Sequence, residues 1–183
     1  MDTSTASPRR TGRDALDAVL ITSTVLMGLI AGVYYCFTCA IMPALADADD
    51  RVFIDFLQRV NDTIENPVFF LSFLGAFLVP LAAAIMQRRR GGGPVGRWIV
   101  TALVLYTLSI VTTVAFNIPL NEDLSDAGAP SAIADPAAVR ADFEDPWIAW
   151  NIVRTLLATA AIGAMSYAIL LRGRARAGHT DGA

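Results

Sequence analysis

The sequence predicts an all-α integral membrane protein, a four-helix bundle built from two helical hairpins with both termini on the cytoplasmic side. Three observations carry that expectation. Of 183 residues, 55% are hydrophobic and only 17% are charged, against roughly 25% charged in soluble domains. Four apolar runs stand near or above the roughly 20 residues that a helix needs to cross the hydrocarbon core. The basic residues, all of them arginine, cluster in alternate inter-span segments. Residues 1–14 read as a cytoplasmic tail, 15–171 as the membrane domain and 172–183 as a second cytoplasmic tail.

The first span covers about residues 18–45. Ala44-Leu45-Ala46 resembles a signal cleavage site, but the apolar stretch is about twice a signal core, so a retained anchor is expected. Gly28-Leu29-Ile30-Ala31-Gly32 offers a small face for close helix packing and for a homodimer contact. In the loop that follows, Phe53, Phe56, Leu57, Val60 and Ile64 recur at helical spacing, which predicts a short amphipathic helix across the mouth of the bundle. Asn61 lies four residues after Leu57, near that face.

The second span covers 67–87. Asn66-Pro67 places a capping side chain before a proline at the first helical position, and Pro80 predicts a kink. Gly91-Gly92-Gly93-Pro94 makes a tight link to the third span, 98–120. The second long loop, 123–142, is rich in Ala, Asp, Ser and Pro and reads as irregular. Asp145-Pro146 repeats the cap–proline signal and predicts a fourth span over 147–171. The halves echo each other: Ile41-Met42-Pro43-Ala44-Leu45 closes span one, Asn117-Ile118-Pro119-Leu120-Asn121 closes span three, and an acidic loop follows each.

Orientation follows from arginine. Positions 9, 10 and 13, then 88, 89, 90 and 97, then 172, 174 and 176 occupy the three segments on one side. The other two loops carry only Arg51, Arg59 and Arg140 among many acids. The positive-inside rule puts the arginine side in the cytoplasm, and a multi-pass plasma-membrane protein is expected. Membrane lipids are the expected partners. A net charge of −3 gives no attraction to a phosphate backbone, so no nucleic acid is expected. Two cysteines and one histidine, His179, exclude a disulfide scaffold and any zinc or haem site that needs two histidines.

Arg154 carries the strongest chemical signal. It lies seven residues, or about 10 Å, down the fourth helix from Trp147. An arginine there costs on the order of 2.5 kcal/mol or more unless it faces a cavity or the bundle interior. None of the four runs contains Asp or Glu to neutralise it. Trp147, Trp150, Asn151 and Arg154 are spaced to share one face. Asn117 and Asn121 flank Pro119, which frees the carbonyl of Ala115, and Tyr34 and Tyr35 add hydroxyls from span one. Two readings stay open: a polar pocket that presents Arg154 to an anionic or enolate-like ligand, or structural glue between helices. Cys36-Phe37-Thr38-Cys39 has the spacing of a thiol redox motif. A membrane thiol oxidoreductase would need a second cysteine pair, and buried small hydrophobes are the alternative.

Gly32-Val33-Tyr34-Tyr35, Met42-Pro43-Ala44-Leu45 and Asn61 through Asn66-Pro67 resemble the first half of the anthrone oxygenase-like family of small four-helix membrane proteins. Asn117-Ile118-Pro119-Leu120-Asn121 and Trp147-Ile148-Ala149-Trp150-Asn151-Ile152-Val153-Arg154 resemble its second half. The resemblance implies, for some members, oxygenation of polyketide anthrones without metal or flavin, hence no cofactor and a lipophilic small-molecule substrate. In that setting Arg154 stabilises the substrate anion while Asn117, Asn121 and Asn151 assist it. Asn61, Asn66, Tyr34, Trp147 and Trp150 would contact substrate. The base is left to Glu65, Asp62, Glu122 or water. The rival function is a non-enzymatic protein that binds a lipid or lipophilic ligand or serves as a partner subunit.

Overall fold

The computed structural model describes the backbone of residues 8–180 and the side chains of residues 15–177. Arg9, Arg10, Arg13 and His179 therefore lie outside the described side chains. The described chain is helical from end to end apart from short links. In order come α1 (Pro8–Cys36), a π-helical turn (Phe37–Ile41), α2 (Met42–Leu45), α3 (Asp50–Ile64) and α4 (Pro67–Arg88). There follow α5 (Gly93–Thr112), a second π-helical turn (Thr113–Asn117), α6 (Ile118–Asp126) and α7 (Pro136–Thr180). Four continuous rods, Ala15–Leu45, Pro67–Arg88, Gly93–Asp126 and Pro136–Ala177, are long and apolar enough to cross a membrane. This is a multi-pass membrane protein.

The rods form a ring in which α1 packs on α4 and α7, and α5 packs on α4 and, most extensively, on α7. The outer faces stay apolar: Val68, Leu71, Leu78 and Leu156 are exposed, as expected of surfaces that meet lipid rather than water. Inside, Leu16, Leu20, Met27 and Ile30 of α1 meet Ala76 and Ala83 of α4, Ala102 and Tyr106 of α5, and Ala158, Ala161, Ala164 and Ala168 of α7. This alanine face lets α7 approach its neighbours closely. The glycine pair of span one is not used in the same way. A Cβ at Gly28 or Gly32 would meet nothing within 4 Å, whereas one at Gly75 would come 2.9 Å from Leu26 Cδ1. Gly75 of α4 therefore makes room for the Leu26 side chain of α1.

The echo between the halves is structural as well. Each π-helical turn ends two residues before a proline, at Ile41 before Pro43 and at Asn117 before Pro119. The wide turns close with Met42 N–H donating to Phe37 O and Ile118 N–H to Thr113 O. Proline lacks an N–H and its ring crowds the carbonyl four residues back. A π-turn supplies the extra room, and such turns recur at functional sites.

Two features at the acid-rich end differ from expectation. The amphipathic helix is present as α3, but it buries Phe53, Ile54 and Leu57 while Phe56 is partly exposed. The second long loop is largely helical. Span three runs on through α6 to Asp126, and α7 starts at Pro136, ten residues before Pro146, which lies inside the helix. The chain thus uses the first of its two Asp-Pro pairs: Asp135 Oδ1 accepts from Ala138 N–H at 3.1 Å, and Asp145 caps nothing. The early start places Phe143 on the same stripe as Trp147, and both are buried with Phe37, Phe53 and Leu57. That burial outweighs the hydrogen bond lost at Pro146.

Arg140 fastens this cap. Its guanidinium donates to Glu144 at 2.6 Å, Asp50 at 3.1 Å and the carbonyls of Leu45, Ala46 and Ala48 at 2.8 to 3.2 Å, and it lies 4.4 Å over the Phe53 ring. Arg51 donates to the carbonyls of Pro130 and Ile133, and Gln58 to those of Leu124 and Gly128. At the opposite end Asp17 pairs with Arg172 and Arg176.

Candidate functional site

A buried polar cluster lies between the alanine-rich core and the aromatic cap. Arg154 is only 7% exposed. Its Nε donates to Asn151 Oδ1 at 2.9 Å, one turn earlier on α7. Its guanidinium plane is 4.2 Å from the Tyr34 ring and 5.2 Å from the Trp147 ring, within cation–π range of both. Neither terminal amino group of Arg154 has a hydrogen-bond acceptor among the described residues, and no acidic side chain pairs with it there.

Asn151 organises the surroundings. Its Nδ2 donates to Tyr34 O at 3.0 Å and to Thr38 Oγ1 at 2.8 Å, which ties α7 to the end of α1 and its π-turn. Thr155 Oγ1 donates to Asn151 O at 2.6 Å. Tyr34 Oη and Thr113 Oγ1 are 3.4 Å apart across the bundle. Ser109 Oγ donates to Arg154 O at 3.2 Å. The Tyr34 hydroxyl was expected from the sequence; those of Thr38, Thr113, Thr155 and Ser109 were not legible in it. The only signal was that Thr38 follows Tyr34, and Thr155 follows Asn151, by one helical turn.

The second asparagine pair reaches the cluster through Trp147. Asn117 is fully buried in its π-turn; its Nδ2 donates to Trp147 O at 3.4 Å, and its Oδ1 has no partner. Trp147 Nε1 donates to Asn121 Oδ1 at 2.8 Å. Asn121 also lines a cavity of about 370 Å³ at the acid-rich end, between α3 and α6, with Asn61, Ile118 and the carboxylate-bearing residues Asp62, Glu65 and Glu122. Asn61 Nδ2 is buried there without a partner. All three carboxylates named as candidate bases thus meet at one cavity. Arg154 is absent from its lining and lies behind Trp147.

The remaining expected residues fall elsewhere. Trp150 turns away from Arg154 and stacks on Phe116, centroids 3.6 Å apart and planes 6° from parallel. It sits at the edge of the arc that the three- and four-residue spacing defines, so Phe116 of the second π-turn captured it instead. Asn66 is occupied as the cap of α4: its Oδ1 accepts from Val68 and Phe69 N–H at 3.0 and 3.1 Å, and its Nδ2 donates to Thr63 O. Tyr35 is 61% exposed and points outward. Cys36 and Cys39 are free and exposed, not buried. Among the described residues, no group of three or more His, Cys, Asp or Glu could hold a metal.

The family model described as Anthrone oxygenase matches residues 66–164, more than half of the chain. The matched stretch contains Asn117, Asn121, Trp147, Asn151 and Arg154, whereas Tyr34, Thr38 and Asn61 precede it. No curated protein and no solved structure matches the chain.

Proposed function

The chain belongs to the anthrone oxygenase family, and from that premise we propose that it oxygenates a lipophilic anthrone-type ketone with molecular oxygen at the acid-rich end of the bundle. One observation carries the reading: Arg154 is a buried cation whose terminal amino groups have no acceptor among the described residues, in a segment without carboxylates. Such a group suits a ligand that becomes anionic.

The substrate enters the cavity beside Asn61 and Asn121. A carboxylate among Asp62, Glu65 and Glu122 takes a proton from the ring methylene. The negative charge moves to the ketone oxygen, which Arg154 stabilises once Trp147 swings away from Asn121. Asn117 and Asn151 hold the surroundings of that oxygen. The electron-rich carbanion reacts with dioxygen at the former methylene. One oxygen atom stays as the new carbonyl and the other leaves as water, giving the quinone.

A second reading is favoured by a specific feature. Arg154 does not line the cavity beside Asn61 and Asn121, and its Nε and both ring contacts are already satisfied within the protein. In that reading Arg154 joins helices and the cavity binds a lipophilic ligand without turnover. Oxygen uptake by the reconstituted protein with an anthrone separates the two. The oxygenase reading expects quinone formation that Arg154→Gln lowers by about two to three orders of magnitude in a folded protein. A folded wild type that retains anthrone but consumes no oxygen overturns it.

A further inference from the structure

At the arginine-rich end, remote from the site above, an apolar groove of about 690 Å³ opens between α4 and α5. Leu81 and Ile85 of α4 and Val100 of α5 line it, and Arg88 and Arg97 stand at its mouth. From Leu81 to Arg88 the groove follows α4 for about 10 Å, from the edge of the bilayer toward its interior. Ile85 is 47% and Val100 49% exposed, so the groove faces the lipid rather than the bundle core. Gly91, Gly92 and Gly93 all take positive φ, which reverses the chain with no side chain above the opening.

The charge at this mouth is one-sided. No Asp or Glu occurs between Glu65 and Glu122, and among the described residues no acid pairs with Arg88 or Arg97. At the same end of the molecule Arg172 and Arg176 are paired with Asp17. The α5 helix also begins at this mouth without a side-chain cap, which adds the positive end of its dipole.

We propose that this groove is a binding site for one anionic phospholipid, its acyl chain against Leu81, Ile85 and Val100 and its phosphate between Arg88 and Arg97. Basic pockets between spanning helices bind anionic headgroups because the arginines neutralise the phosphate where the acyl chain is already desolvated. The site is independent of the oxygenation chemistry at the other end.

The test is lipid retention by the full chain. The protein is reconstituted in vesicles of equal phosphatidylglycerol and phosphatidylcholine with matched acyl chains, extracted gently, and weighed by native mass spectrometry. Two arginines near the surface correspond to a preference of roughly thirtyfold for a single retained phosphatidylglycerol. R88Q/R97Q abolishes the preference, and R88K/R97K keeps most of it. R174Q, which removes an exposed arginine at the same end but outside the groove, leaves it unchanged. Val100→Trp keeps both charges but fills the groove, and it also loses the lipid. Circular dichroism and thermal unfolding confirm that each variant is folded. Equal retention of both lipids, an R174Q loss as large as that of R88Q/R97Q, or full retention in Val100→Trp overturns the proposal.

Discussion

Arg154 Nε donates to Asn151 Oδ1 at 2.9 Å, while Asn151 Nδ2 reaches across to Tyr34 O and Thr38 Oγ1 on the first rod. One amide therefore orients the buried cation and joins two helices. This makes activity and stability separable by substitution. Arg154→Gln removes the charge but keeps a shorter polar side chain that ends near the position of Nε. Oxygen uptake with an anthrone is expected to fall by about two to three orders of magnitude, the usual loss for one electrostatic donor. The thermal midpoint should stay close to that of wild type.

Asn151→Leu should behave differently. It removes the donor that reaches Tyr34 O and Thr38 Oγ1 from α7 and strands Arg154 Nε. A destabilisation of about 1–3 kcal/mol is expected, measured by chemical unfolding in detergent, together with loss of turnover. Unchanged stability would show that the amide does not join the rods.

Asp62→Asn, Glu65→Gln and Glu122→Gln separate three of the four carboxylates that line the 370 Å³ cavity, Asp126 being the fourth. The one that acts as base should lower kcat by about 10²- to 10⁴-fold, with a much smaller change in KM. The other two should leave kcat within a few-fold. Uniform small losses in all three would leave proton removal to Asp126 or to water.

Arg140→Met tests the cap. The substitution leaves Glu144, Asp50 and three carbonyls without their shared donor. A loss on the order of 3 kcal/mol is expected, with faster proteolytic cleavage in the 46–49 link between α2 and α3. Arg59→Met is the control: its side chain is 76% exposed in an ion pair with Asp55, and pairs of that kind contribute little.

Cys36→Ser/Cys39→Ser should retain oxygenation, since both thiols face away from the Arg154 cluster and are exposed. In wild type both should react with a membrane-permeant maleimide. Loss of turnover in the double variant would revive a redox role for the pair.

The sequence by itself determined the helical class, the four spans and the amphipathic α3. Each of these depends on local hydropathy and period, which a window of residues contains. It also singled out Arg154, because one charge without a carboxylate in an apolar run is visible in one dimension. Tertiary structure alone decided the rest. Asp135 and Asp145 carry the same cap–proline signal, and only the burial of Phe143 against Phe53 selects the first. Trp147 and Trp150 are both spaced to reach Arg154, yet stacking on Phe116 draws Trp150 away. In each case contacts between segments remote in sequence set the energy difference, and local spacing carries no record of them.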